Sequence, residues 1–177
     1  MNQEWIAVTD RKQCGGEFLK TVQTLAGQGL KTIILREKDL SEEEYGELAA
    51  RCMEICRKTG ASLTLHKYFH AARGLGADRI HLPYPVFREN AGKIDQHIHV
   101  STSIHAPGEA VEAERMGAEF VIAGHIFQTD CKKGVPPRGL EFLRETVQSV
   151  SIPVYAIGGI TPYNIGESEN WKSLKPN

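Results

Sequence analysis

An apolar run that ends in a histidine is the feature of this sequence with the clearest chemical potential. Residues 120–123 are typical of a buried strand, Gly124 ends the run, and His125 follows it. In α/β proteins, the carboxyl ends of parallel strands form the edge at which ligands bind. Because an imidazole titrates near neutral pH, His125 at such an edge predicts a site of proton transfer.

The loop after this histidine adds polar and cationic side chains. Thr129, Lys132 and Lys133 lie in the loop, and a helical pattern opens at Arg138. Fixed positive charges beside an imidazole favour an anionic substrate. Cys131 lies in the same loop, and because no base is paired with it, we interpret it as loop packing or a ligand contact.

A pair of glycines further along the chain offers a second site for an anion. Gly158 and Gly159 follow the apolar residues 154–157 and precede Thr161 and Pro162, which suit the cap and first position of a helix. Glycines let backbone amides approach an oxyanion, and a helix N-terminus adds partial positive charge, so the pattern indicates a phosphate site. The alternative, a tight turn without a ligand, stays open from the residues alone.

Basic residues end the second predicted strand. Arg36 can hold a carboxylate or a phosphate through two parallel hydrogen bonds, and Lys38 follows two residues later. The alternative is a solvated loop with an internal salt bridge. If the strand ends share one edge, Arg36, Lys132 and Gly158 would form a cationic rim from three separate loops.

Strands and helices alternate along the chain, and glycines mark where helices end. Gly29, Gly60, Gly76 and Gly117 each precede a short apolar run, as expected of left-handed helix caps before buried strands. The predicted strands cover residues 5–9, 30–35, 61–65, 77–82, 97–101, 118–123 and 154–157. The predicted helices cover residues 18–26, 42–56, 68–75, 107–116 and 140–150. A further helix begins at Thr161.

This alternation predicts a parallel sheet with right-handed crossovers. The fold class is α/β, a TIM-barrel-like (β/α) fold, formed as a single incomplete barrel domain over residues 1–177. We expect the eighth strand–helix unit to be missing, because the residues after 166 lose apolar periodicity. The first and seventh strands then keep unpaired edges, and a homo-oligomer is one way to cover them.

Composition disfavours several classes of partner. The formal net charge is −1 and 41% of the residues are hydrophobic, which favours a soluble globular protein over a binder of nucleic acid or anionic membranes. No apolar run approaches the roughly 20 residues of a membrane span. The cysteines show neither a CxxC pair nor a zinc spacing, which indicates a reducing, cytoplasmic environment.

The histidines raise the alternative of a metal site. His97 and His99 alternate on one predicted strand, while His66, His81 and His105 lie in or after other strands. Strand histidines are more often structural groups with satisfied hydrogen bonds, and carboxylates are scarce at these strand ends, which disfavours Mg²⁺ as well. We therefore predict no metal site and no cofactor.

Four short motifs, in their order and spacing, resemble the thiamine phosphate synthase/TenI superfamily along nearly the whole chain. They follow predicted strands one, two, five and seven and read Val8-Thr9-Asp10, Leu35-Arg36-Glu37-Lys38, Ser101-Thr102-Ser103-Ile104-His105 and Ala156-Ile157-Gly158-Gly159-Ile160. The resemblance implies the barrel fold and one of two activities.

The first activity is that of the synthase, which joins a pyrimidine pyrophosphate to a thiazole phosphate with Mg²⁺ held by acids after strands three and four. Here strand three ends in His66-Lys67 where synthases usually show an Asn-Asp pair, and strand four ends in His81-Leu82-Pro83-Tyr84-Pro85 without the expected downstream acid. The synthase loop reads Thr-x-Thr-Lys, whereas residues Thr129 to Lys132 read Thr-Asp-Cys-Lys. A charged lysine repels Mg²⁺ and cannot ligate it, so these departures leave the synthase as the alternative.

The resemblance is closer to the TenI-type thiazole tautomerase, whose loop is matched by the segment from Gly124 to Gly134. That enzyme aromatises a carboxythiazole phosphate tautomer by moving a proton, without a metal or a nucleotide. By this resemblance His125 is the acid/base, and Gly158 and Gly159 hold the phosphate. The other candidate substrate contacts are Arg36, Lys38, Ser103, Thr129 and Lys132, with Arg36 and Lys132 the best candidates for the carboxylate or phosphate.

The missing eighth unit implies a weakened phosphate site, since in this family the loop before the eighth helix completes it. The expected substrate is a small thiazole phosphate. An inactive regulatory or interaction protein, which pairs its exposed edge strands with another chain, is the remaining alternative.

Overall fold

The computed structural model describes residues 5–166, and within that range it contains seven strands and six α-helices. The strands are β1 (Ile6–Val8), β2 (Thr32–Leu35), β3 (Ser62–His66), β4 (Arg79–Pro83), β5 (His99–Ile104), β6 (Phe120–Gly124) and β7 (Val154–Ile157). The helices are α1 (Phe18–Gly27), α2 (Glu42–Thr59), α3 (Phe69–Gly74), α4 (Tyr84–Asn90), α5 (Pro107–Arg115) and α6 (Gly139–Ser149).

The strands form a sheet in the order β1-β2-β3-β4-β5-β6-β7 with parallel pairing. The predicted α/β, TIM-barrel-like fold is therefore confirmed, and no eighth strand occurs within residues 5–166. The chain divides into two compact units: the first runs to His81 and includes residues 96–99, and the second holds residues 82–95 and continues from Val100. No helix in the described range has the length and apolarity that a membrane crossing requires.

Helix ends follow the signals in the sequence. The Ser41 hydroxyl accepts from the Glu44 N–H (3.2 Å) and the Glu44 carboxylate accepts from the Ser41 N–H (2.8 Å), which together cap α2. Gly60 ends that helix in the left-handed conformation, at φ 76°. Gly29 and Gly117 also have positive φ, 90° and 88°, so the predicted glycine caps are confirmed.

In the first unit, a buried tyrosine joins α2 to two strands. The Tyr45 hydroxyl donates to the Leu35 carbonyl (2.6 Å) and accepts from the His66 N–H (2.7 Å). Burial raises the pKa of the Tyr45 phenol, so the phenol stays protonated and keeps donating. Cys52 and Cys56 lie buried on the same helix as free thiols, which confirms that they share a face without forming a disulfide.

In the second unit, side chains tie the strands to the segments that precede them. The buried Thr102 hydroxyl on β5 donates to the Leu82 carbonyl (2.8 Å). The Glu114 carboxylate, near the end of α5, accepts from the N–H groups of Ser151 (2.7 Å) and Ile152 (3.0 Å). These two bonds anchor the entry to β7, and therefore the glycine pair that follows it.

The position predicted for the fifth strand is wrong. The strand begins at His99 and continues to Ile104, so Ser103 lies inside the strand and not in a loop after it. The serines and threonines of this strand are polar, so the strand lacks the apolar pattern by which buried strands are predicted. The strand forms nevertheless, because Thr102 satisfies its hydroxyl on a neighbouring carbonyl.

Two other differences concern helices. Helix α4 was not predicted, because two prolines frame its start. Pro85 nevertheless lies in the first turn, where a missing N–H costs nothing. The helix predicted from Thr161 lies mostly outside the described residues. Its beginning is visible, since the Ile165 N–H donates to the Thr161 carbonyl (2.9 Å).

We expect Tyr45→Phe to lower the free energy of unfolding by about 1–3 kcal/mol, because two buried backbone groups lose their partner. Urea denaturation monitored by circular dichroism measures the change. Tyr163→Phe is the matched control, since Tyr163 is 98% exposed and should leave stability unchanged. Equal stability of the two variants would show that the Tyr45 hydroxyl contributes nothing.

Candidate active site

His125 lies directly after β6 and is almost fully buried, with 4% of its surface exposed. Its Nε2 lies 3.2 Å from the carbonyl oxygen of Val135. A carbonyl only accepts, so Nε2 carries the ring proton in the neutral imidazole. Nδ1 is buried and has no hydrogen-bond partner among the residues that the structure describes, which leaves its lone pair available.

The glycine pair after β7 lies against this histidine. A Cβ placed on Gly158 would clash with the Cβ of His125 and come within 2.8 Å of its Cα. A Cβ on Gly159 would lie 2.8 Å from the Cβ of Phe127. Gly158 and Gly159 have positive φ, 98° and 67°. Tight packing by itself therefore explains both glycines, and their role in holding phosphate stays a prediction.

The loop between β6 and α6 has few anchors. The Thr129 hydroxyl accepts from the Cys131 N–H (3.4 Å) and caps a short 3₁₀ turn. Lys132 is half-buried, and Lys133 lies 3.6 Å from Asp130. Cys131 is exposed, and its interpretation as loop packing or a ligand contact stays a prediction.

The motif after β2 is held by a buried acid. Glu37 is 3% exposed, and its carboxylate accepts from the Thr9 hydroxyl (2.6 Å) and from the Arg11 N–H (3.1 Å). The internal salt bridge left open by the sequence therefore runs to the loop after β1, with Arg11 Nε 4.0 Å from the carboxylate. Anchoring Glu37 fixes Arg36 and Lys38 on either side of it, half-buried and exposed respectively.

Two buried histidines, His66 at the end of β3 and His81 within β4, were not among the predicted site residues. His66 and His81 are register partners whose rings stack with centroids 5.8 Å apart. Burial first, then the charge of Arg36, lowers the pKa of His66 to about 4. Burial first, then His66, lowers the pKa of His81 to about 3. Both rings are therefore neutral at physiological pH.

Lys67, directly after β3, adopts a strained backbone conformation. Its φ is 71°, and the Tyr68 N–H donates to the His66 carbonyl across it (2.9 Å), which closes a γ-turn. The Lys67 N–H donates to the His81 carbonyl (3.0 Å), and its ammonium lies 5.3 Å from the Tyr68 ring centroid. A positive φ at a lysine marks a position held against its preference, often for function.

The structure brings some predicted site residues together and leaves others separate. His125 and Gly158 are in contact within the second unit, which also holds Ser103, half-buried and level with Ile122. Arg36 and Lys38 belong to the first unit, so the cationic rim stays a prediction. Two clefts of about 200 and 330 Å³ lie beside α1, and neither is lined by a predicted site residue.

A model of the family described as thiamine monophosphate synthase matches residues 5–170. The chain belongs to the thiamine monophosphate synthase family. A putative thiamine-phosphate synthase 2 from Aquifex aeolicus is 37% identical over 156 residues, covering 88% of this chain and 84% of that protein. The thiamine-phosphate synthase of Syntrophomonas wolfei is 36% identical over 165 residues, covering 89% and 78%.

A solved structure of the family supports the same assignment. The thiamine phosphate pyrophosphorylase from Pyrococcus furiosus superposes with a TM-score of 0.78 at 29% identity, covering 94% of this chain and 80% of that one. The resemblance to the superfamily is thus confirmed. These relatives of the family are named synthases or a pyrophosphorylase, so their names favour the alternative activity over the tautomerase.

The residues at the ends of β3 and β4 do not fit the Mg²⁺ that the resemblance implies for synthases. Carboxylates are the ligands that Mg²⁺ prefers, but β3 ends in His66 followed by Lys67, and β4 ends in His81-Leu82-Pro83. Within residues 5–166, no three His, Cys, Asp or Glu side chains are grouped as a metal ion would require. The donor set at this position of the family fold is neutral and cationic, and it suits an anion.

We expect Gly158→Ala to lower the free energy of unfolding by roughly 1–3 kcal/mol more than Gly117→Ala. Both glycines have positive φ, but a Cβ on Gly117 meets no atom within 4 Å, so this control isolates backbone strain from the clash with His125. Urea denaturation of both variants measures the difference. Equal losses would mean that the approach of Gly158 to His125 is not tight.

The lowered pKa values of His66 and His81 predict acid sensitivity. Above pH 6.5 both rings are neutral in the folded and unfolded chains. As the pH falls from 6.5 towards 4, these histidines become protonated in the unfolded chain but stay neutral in the folded chain. The free energy of unfolding therefore drops by on the order of 3 kcal/mol for His66 alone.

Urea denaturation between pH 7 and pH 4 measures this slope. His66→Asn should flatten it, whereas the matched control His70→Asn, at an exposed position, should not. Parallel slopes for the two variants would contradict the neutral burial of His66.

Proposed function

We propose that the chain is a thiazole tautomerase of the thiamine monophosphate synthase family, which aromatises a carboxythiazole phosphate by proton transfer. The observation that carries this proposal is the state of His125: its Nε2 proton is held by the Val135 carbonyl, and its Nδ1 is buried without a partner among the described residues. Buried polar atoms are nearly always paired, so an orphaned base atom supports a site for a reacting proton.

The proposed mechanism uses one imidazole for both halves of the reaction. Nδ1 of His125 removes a proton from the substrate, and the resulting imidazolium keeps its Nε2–H bond to the Val135 carbonyl, which stabilises the cation. The same Nδ1 then returns a proton at another atom. The gain of aromaticity drives the reaction, so the protein has only to position the thiazole ring and to supply a base.

The substrate can reach this base only if the loop over it moves, because the His125 ring is closed off from solvent. Asp130, Cys131, Lys133 and Gly134 are exposed, so displacing this part of the loop costs little buried surface. The two prolines that follow Val135 stiffen the chain and the Arg138 N–H donates to the His125 carbonyl (2.9 Å), so the Val135 carbonyl stays beside Nε2. The half-buried Lys132 and the Thr129 hydroxyl are the proposed substrate contacts in this loop.

The second candidate is the synthase reaction, which the names of the relatives favour. It requires Mg²⁺ near the ends of β3 and β4, where this chain carries Lys67 beside two neutral histidines. The tautomerase needs a base at His125, whereas the synthase needs a metal ion at the end of β3.

We expect His125→Asn to slow aromatisation of the carboxythiazole phosphate tautomer by about 10²–10⁴-fold, because asparagine can donate to the Val135 carbonyl but cannot accept and return a proton. Ultraviolet absorbance of the aromatic product measures the rate. His70→Asn is the matched control and should react at the parent rate.

A parallel assay with pyrimidine pyrophosphate, thiazole phosphate and Mg²⁺ decides between the candidates. We expect no thiamine phosphate in that assay. Turnover there, together with an unchanged tautomerisation rate in His125→Asn, would replace the tautomerase by the synthase.

A further inference from the structure

We propose that Lys67, together with Arg36 and the stacked histidines His66 and His81, forms a carboxylate-binding subsite at the carboxyl ends of β2 and β3, beside His81 in β4. The proposal takes from the proposed function only the identity of the acid, a carboxythiazole. By the family resemblance, synthases hold Mg²⁺ at this position. In this chain, fixed positive charges would bind the anion directly, without a metal ion between them.

The backbone at Lys67 is the first observation that supports the subsite. The γ-turn at φ 71° places the lysine at the strand end, although glycine would take this conformation without strain. Two main-chain hydrogen bonds hold the turn, from Lys67 to the His81 carbonyl and from Tyr68 to the His66 carbonyl. Such strain persists where the surrounding structure holds the residue in place.

The charges around this turn are the second observation. The positive charges of Arg36, Lys38 and Lys67 all act on His66 and add to the lowering of its pKa by burial. Neither Arg36 nor Lys67 forms an ion pair with a carboxylate of the protein in the range that the structure describes. The nearby acid Glu37 is bound to the Thr9 hydroxyl and to the Arg11 N–H. Arg36 and Lys67, two cations without a carboxylate partner in that range, attract an anion.

A buried hydroxyl on the same strand face is the third observation. Thr64 lies two residues before His66, so their side chains share one face of β3. Thr64 is 2% exposed, and its hydroxyl has no hydrogen-bond partner among residues 5–166. A buried hydroxyl and the neutral His66 ring therefore lie along one face of β3, and such polar groups suit a ligand that carries several acceptor oxygens.

The experiment compares two probes that divide the proposed substrate: a carboxythiazole without the phosphate, and a thiazole phosphate without the carboxylate. Ligand-observed NMR titration of the full chain gives the dissociation constants. We expect Lys67→Gln to weaken binding of the carboxythiazole by about 10–100-fold, as the loss of one charged hydrogen bond implies, and to leave the thiazole phosphate unaffected.

Two further variants guard against a misfolded protein. Lys67→Gly should lose affinity for the carboxythiazole to the same extent while raising the melting temperature, since glycine relieves the strain at φ 71°. Lys67→Arg should retain most of the affinity because it keeps the charge. Lys31→Gln is the matched control, because Lys31 is an exposed lysine at the opposite end of β2 and should change neither constant.

Equal affinity of the carboxythiazole for the parent and Lys67→Gln, or no binding by the parent, would overturn the subsite. A loss confined to the thiazole phosphate would also overturn it, since the bound group would then be a phosphate. The proposed function fails separately: binding that depends on Lys67 without tautomerisation leaves the subsite standing. If tautomerisation depends on His125 but not on Lys67, the proposed function stands and the subsite is overturned.

Discussion

The close approach of the turn after β7 to the loop after β6 is the constraint on which the second unit depends. Gly158 has no side chain, so its backbone lies against His125 at a distance that any Cβ would prevent. Hydrogen bonds from Ile126 to the Ile157 carbonyl (3.0 Å) and from Phe127 to the Gly158 carbonyl (2.9 Å) hold the two segments together. The imidazole is thereby buried at a strand end, where neighbouring backbone determines which nitrogen keeps the proton.

This packing changes the meaning of the glycine pair. Glycines after a strand are often interpreted as a cradle for phosphate, and the helix start near Thr161 agrees with that interpretation. Here their first requirement is steric, because Gly158 and Gly159 face His125 and Phe127. A phosphate role would be added to a turn that the fold already needs for packing.

The first unit shows how one fold can change its chemistry through a few side chains. The family fold and the β3–β4 register need nothing from the charge of residue 67, whose backbone bonds are made by its N–H and by its neighbours. A carboxylate there would attract a divalent cation, whereas Lys67 beside the neutral rings of His66 and His81 attracts an anion. Membership of the family therefore determines the architecture, and the residues at the strand ends determine the chemistry.

The sequence by itself determined the alternation of strands and helices, the glycine caps and the order of the motifs, because these depend on residues close together in the chain. It misplaced β5 and missed α4, since polar strand residues and flanking prolines are ambiguous until tertiary contacts satisfy them. Only the tertiary structure decided that Nδ1 of His125 has no partner among the described residues, that Gly158 lies against the Cα and Cβ of His125, and that His66 stacks on His81. Each of these depends on atoms that the chain brings together from distant positions, which local patterns cannot specify.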